Sequence, residues 1–355
     1  MDTYNKYTIR TLLIRNSADK ITASRQLTKL SGCFSFTFFI FKDGKKNLLL
    51  GESHNLEGIC SDGYQIHRWL YDLIKNAPSQ NGCTDLFVED EFTDYFSSEE
   101  EYFNQNIENF TNIKDLFEYQ SGMVAIQKTF KICKYAVLQK CPLPKLRYHF
   151  IDTRGYDPIT KIFLNRHNYS DNWEKAEAYL SKHFIDIYLY CAGFHDNNNL
   201  INNYYKILIK GTGKTIKYLN QNNDRTQYLE FINKQLNKIK QPFDIERFFK
   251  ILSESAKEFS MSNNFSRAST LLAVRMDVYF LLRWFHNYDI DKMDRGPVGC
   301  QDERATNSIV CGGDAHIEIY TNFFKKFFSI EPVIMIRNDP DNKCITLDKP
   351  FDFYA

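Results

Sequence analysis

Two apolar runs, "CFSFTFFIF" (33–41) and "NLLL" (47–50), flank Asp43-Gly44, so the pattern predicts a β-hairpin whose second strand stops at Gly51. In "GYQIHRWLYDLIK" (63–75), Ile66, Trp69, Leu70 and Leu73 recur at helical spacing. "TDLFVEDEF" reads as a short buried strand ending at Glu89, and acidic helical stretches fill 97–140. "LRYHFIDTRG" is a further strand, followed by Asp152 and Arg154. Strands alternating with helices, each strand ending in polar residues, predict an α/β fold: a mixed, largely parallel central sheet flanked by helices.

From 156 to 265 the strand signal disappears, and stretches such as "NWEKAEAYLSKHFIDIYLYCAGF" and "QYLEFINKQLNKIK" read as helices. This segment is expected to be a helical insertion or cap, with the Asn-rich "HDNNNLINN" as a loop. A long apolar helix follows in "RASTLLAVRMDVYFLLRWFH", then strand and helix in "NSIVCGGDAHIEIYTNFFKKFF". A strand "PVIMIR" and a polar tail end the sequence, and residues 1–30 are expected to pack outside the core. The organisation is that of one α/β domain over 1–355, its core spanning about 31–155 and 266–340, with no internal repeat.

Composition narrows the class. Hydrophobic residues at 43% and charged residues at 25% are ordinary for a globular chain, and the net charge of +1 gives no global attraction to nucleic acid or anionic membrane. No apolar run reaches the length of a membrane helix, and "MDTYNKYTIRTLLIRNS" lacks the apolar stretch of a signal peptide. Nine scattered cysteines, none in a Cys-x-x-Cys spacing, read as reduced thiols in a cytoplasmic, reducing compartment.

Two copies of Gly-x-x-His carry the candidate chemistry: Gly51-Glu-Ser-His54 and Gly313-Asp-Ala-His316, each after an apolar strand-like run. With 15 glycines and 8 histidines in 355 positions, chance supplies about a third of one such match. In open α/β sheets ligands bind beyond the carboxyl ends of the strands. Four predicted strand ends bear Glu52/His54, Glu89/Asp90, Asp152/Arg154 and Asp314/His316, which meet on one edge if the strands are parallel neighbours. Each has a plain structural reading. A histidine after a strand is most often a hydrogen-bonded loop residue, Glu89 suits a helix N-terminus, and Asp152 and Arg154 suit each other. Their joint occurrence favours a site.

Other motifs are weaker. "KILIKGTGKTIKY" holds Gly213-Lys214-Thr215, the tail of a phosphate-binding loop, but the required first glycine is Leu208, so a turn between helices is expected. No cysteine sits in a nucleophile signature. His149 is expected to point into packing, and His67 to belong to its helix.

The order of these motifs resembles the superfamily that joins erythromycin esterases, TraB/Tiki proteins and ChaN-like haem-binding proteins. Its members show a first strand ending in Gly-x-x-His, here Gly51–His54, a strand ending in glutamate, here Glu89, and a final Gly-x-x-His, here Gly313–His316. An arginine-bearing helix precedes the last motif, offering Arg275, with Arg283 as second candidate. The resemblance covers roughly 34–155 and 266–340 and leaves 156–265 unmatched.

It implies hydrolase chemistry on a small-molecule or peptide substrate, in two versions. Without metal, a histidine is general base on water, Glu52 or Glu89 fixes its tautomer, and Arg154 or Arg275 stabilises the oxyanion. With metal, His54, Glu89 and His316 hold one divalent ion, Zn, Mn or Fe. Two further readings share the fold: a haem-type ligand carrier, whose pocket the 15% aromatic content would line, and an inactive scaffold.

Overall fold

The computed structural model describes residues 26–52, 60, 62–78, 82–91, 122–134, 143–152, 170–194, 197–210, 222–262, 267–288, 300, 304–339 and 341–355. Among them run strands β1 (Leu27–Ser31), β2 (Ser35–Ile40), β3 (Lys46–Glu52), β4 (Tyr64–Gln65), β5 (Thr84–Glu91), β6 (Leu146–Asp152), β7 (Asn307–Gly313), β8 (Ile334–Arg337) and β9 (Cys344–Phe351). The helices are α1 (Ile66–Lys75), α2 (Met123–Lys134), α3 (Ser170–Lys182), α4 (Phe184–Cys191), α5 (Asn198–Ile209), α6 (Asn222–Leu236), α7 (Ile245–Ser262), α8 (Arg267–Trp284) and α9 (Asp314–Phe328).

Six strands form the central sheet in the order β6-β5-β7-β3-β2-β8. β6, β5, β7 and β3 are mutually parallel, while β2 pairs antiparallel with both β3 and β8. The predicted hairpin joins β2 to β3, with Gly44 at φ +81° in its turn. The fold is therefore α/β with a mixed, mostly parallel sheet flanked by helices, as the alternation predicts.

Side chains on a strand alternate faces, so the apolar runs feed two cores. Leu49, Phe87, Ile151 and Val310 pack on one face against α3 to α9. Leu48, Leu50, Leu86, Val88, Ile309 and Cys311 pack on the other against α1 and α2. β7 lies between β5 and β3, so the last strand of the parallel set is inserted at its centre.

Several expectations change. A second sheet, β4-β1-β9, lies on the α1 side. Its strand β9 falls in the stretch that reads as a polar tail, because Ile345, Leu347 and Phe351 alternate inward between exposed polar residues. "HDNNNLINN" is not all loop. α5 starts at Asn198, carried by the buried Ile201, Tyr204, Tyr205 and Leu208. Of the acidic stretch 97–140, α2 is described, and 97–121 and 135–140 lie outside the described residues, as do residues 1–25 and Gly213–Thr215.

Cys60 lies beside Cys344 and Cys83 beside Cys300, with Cα separations of 5.4 and 5.1 Å. Cys33, Cys191 and Cys311 are buried. No helix among the described residues is long and apolar enough to cross a membrane.

Candidate functional site

The parallel register brings the ends of β5, β7 and β3 level: Gly51 pairs with Gly312, Glu52 with Gly313, and Val88 with Cys311. β5 carries one extra residue against β6 between Val88 and Glu91, which places Glu89 in a bulge. Glu89 shares the parity of Phe87, so its side chain lies on the face that holds α8 and α9. Its Oε2 accepts a hydrogen bond from the Gly313 N–H at 2.5 Å, at the N-terminus of α9. A carboxylate is favoured there by the helix dipole.

His316 stands on the first turn of α9, 5% exposed. Its Nδ1 bonds Asp277 Oδ1 of α8 at 2.7 Å, and its Nε2 faces Glu89 Oε1 at 4.0 Å. The Nδ1 bond to Asp277 fixes the ring so that Nε2 is on the side of Glu89. A separation of 4.0 Å is too long for a hydrogen bond. The result is a carboxylate–imidazole–carboxylate line from two helices and one strand.

Asp277 is absent from the sequence-derived candidates, though it left a signal. It is fully buried in the middle of an apolar helix, where an ionisable group without a partner is costly. The phenols of Tyr188 and Tyr320 lie beside it and stop short of well-formed hydrogen bonds. Burial, then the Asp277 carboxylate, push both hydroxyls far up, so they stay protonated.

The other predicted residues divide. Glu52 projects to the opposite face, against the start of α2: a Cβ at Gly122 (φ +124°) would come within 2.9 Å of its Oε2. Asp152 shares the parity of Leu146 and so lies on Glu52's face at the end of β6. Asp314 begins α9 but turns to Arg337 of β8, which also pairs with Glu318. Burial raises the Asp314 carboxyl and Arg337 opposes the rise. The edge is thus shared as expected, but its two faces separate Glu89 and His316 from Glu52. Arg275 places its guanidinium on the ring of Tyr228, 4.3 Å from the centroid. His54 and Arg154 lie outside the described residues, and so does the Asp90 side chain. Burial and the Glu52 and Asp314 carboxylates push the Cys33 thiol up, which makes it a poor nucleophile.

Arg283 belongs to a separate network in the amino half of the sheet. Its Nε donates to His149 Nδ1 at 3.0 Å, so His149 must donate from Nε2 to Asp85 Oδ1, 2.7 Å away. Arg147 grips the same carboxylate through Nε and Nη2 at 2.8 and 2.7 Å. Burial would raise Asp85, but Arg147 and His149 hold it at about 2. Burial drives His149 down to about 4, consistent with a neutral ring stacked on Phe87. His149 therefore points into packing, as expected, and His67 is likewise fully buried in α1.

Of the metal set inferred from the resemblance, Glu89 Oε1 and His316 Nε2 face each other, and the third member, His54, is outside the described residues. Among the described residues no three His, Cys, Asp or Glu side chains converge to hold an ion. Comparisons with family models, curated proteins and solved structures return no match, so the reading rests on this geometry.

Proposed function

We propose that the chain is a hydrolase that activates water at the Glu89–His316–Asp277 line. The observation that supports this is the 2.7 Å bond from Asp277 to His316 Nδ1, which leaves Nε2 aimed at a second carboxylate. In this reading His316 Nε2 takes a proton from a water held between it and Glu89, while the oxygen attacks an acyl carbon. Asp277 fixes the tautomer and stabilises the imidazolium that forms, and the proton then passes to the leaving group. Glu89, anchored by the Gly313 N–H, orients the water. The resemblance to erythromycin esterases and TraB/Tiki proteins points to an ester or peptide acyl group as substrate.

The test is a panel of chromogenic esters, lactones and peptides, run on the wild type, His316→Asn and Glu89→Gln, alongside elemental analysis of the purified protein. Turnover that falls at least about 100-fold in both variants, with no stoichiometric metal, is the expected result. A blank panel for the wild type, or turnover unchanged in His316→Asn, overturns the reading. Stoichiometric metal that is lost in both variants overturns its metal-free half.

A further inference from the structure

A cleft of about 680 Å³ opens at the other end of the sheet, at the amino ends of β3 and β7, far from the His316 line. Its floor is aromatic, built from Phe41, Trp284, Phe285 and Phe328. Among the described residues its rim carries Lys42, Lys45, Lys46 and Arg304 against one carboxylate, Asp43. Lys46 is engaged with the Ala355 carbonyl, and the Asp43 carboxylate accepts the Lys45 backbone N–H at 3.1 Å. The Lys45 ammonium is half-buried over the Trp284 ring, 3.2 Å from its centroid, and among the described residues its acceptor is the Trp284 carbonyl at 3.5 Å. Arg304 is anchored from behind, because Arg147 Nη2 donates to its carbonyl at 3.0 Å. The buried Asp85–Arg147 pair thus also positions the cleft wall.

We propose that this cleft is a binding site for a small amphipathic organic anion, its carboxylate met by Lys45 and Arg304 and its apolar body laid on Phe285 and Phe328. Like charges gathered over an apolar floor cost free energy unless an anion compensates them, and pockets of this size with a few convergent polar groups hold small ligands. Burial, with Arg304 and Arg147 adding to it against Asp85 and Asp43, lowers Lys45 to about 7. An arriving carboxylate raises it again, so binding takes up a proton and weakens as pH rises above 7.

The probe is 2-naphthoate, followed by calorimetry on the full chain, with 2-naphthalenemethanol and inorganic phosphate as controls. Naphthoate should bind with a Kd below about 1 mM at pH 7, at least about tenfold more tightly than the uncharged alcohol. Phosphate alone should not displace it, because the aromatic floor supplies part of the affinity. Lys45→Met and Arg304→Ala should each weaken naphthoate at least about tenfold. Lys45→Met should also abolish the proton uptake, read as the dependence of binding heat on buffer ionisation enthalpy. Both variants keep the helical circular dichroism of the wild type. No binding at about 1 mM, equal affinity for acid and alcohol, or affinity unchanged in both variants would overturn the proposal. None of these readouts involves hydrolysis, so the outcome is independent of the His316 site.

Discussion

His316 and Asp277, 39 residues apart and on different helices, share a 2.7 Å hydrogen bond in a place almost closed to solvent. Removing either partner strands the other, and an unsatisfied buried polar group costs about 1–3 kcal/mol. Asp277→Ala and His316→Ala should therefore each destabilise on their own. The double variant should cost less than their sum by about 1–3 kcal/mol, read from urea unfolding. Strict additivity would mean that the two side chains do not interact in solution.

The Asp85 network sets the acid limit of the fold. His149, held at about 4, has a folded-state affinity for protons below that of the unfolded chain, whose histidines titrate near 6.5. Burial and Arg283 do the same to His286, at about 3. Their contribution is whole above pH 6.5 and is lost as pH falls toward 4, because only the unfolded state binds the proton. Asp85, held at about 2, adds a second loss below its unfolded value near 4. Thermal melts should show stability falling from pH 6.5 to 4, with a shallower slope in His149→Gln. A flat profile through that window would contradict the buried neutral ring.

Glycine at the end of β3 is a packing requirement. A Cβ on Gly51 would come 2.1 Å from Ser35 Oγ and 2.4 Å from Asp314 Oδ1, whereas one on Gly312 meets nothing closer than 3.4 Å. Gly51→Ala should cost about 1–3 kcal/mol through overpacking. Gly312→Ala should stay within about 0.5 kcal/mol of the wild type by the same urea measurement. Equal effects at the two positions would remove the steric reason for the first Gly-x-x-His glycine.

Much of this was legible in the chain. The apolar runs around Asp43-Gly44 and before Gly51, Glu89 and Gly313 specify strands because period-2 and short buried runs have no other stable use there. The placement of Glu89 and His316 at one edge follows from the parallel register. Alternation from Phe87 gives Glu89 its face, whereas pairing with Arg337, beyond the strand, decides where Asp314 turns. Asp277 was hidden by its apolar neighbours, although a lone carboxylate among "AVRMDVYF" was itself the clue. β9 was missed because its outward positions are Thr, Asp and Lys, and its inward face is apparent only once β1 lies beside it.

At Glu89 stability and chemistry should separate. Leu49, Phe87 and Ile309 are fully buried in the sheet's two cores, and each should lose about 2–5 kcal/mol on truncation to alanine. Glu89→Gln differs, because the amide oxygen still accepts the Gly313 N–H and the side-chain volume is kept. Its unfolding free energy should remain within about 1 kcal/mol of the wild type, since a buried carboxylate adds little net stability. The charge that would orient a water against His316 Nε2 is nevertheless gone. A chain that keeps its urea midpoint and loses turnover in Glu89→Gln, but loses its midpoint in Phe87→Ala, fits a carboxylate kept for chemistry. If Glu89→Gln instead unfolds the chain as readily as Phe87→Ala, Glu89 is a structural anchor for the N-terminus of α9, and the water it was assigned has no holder.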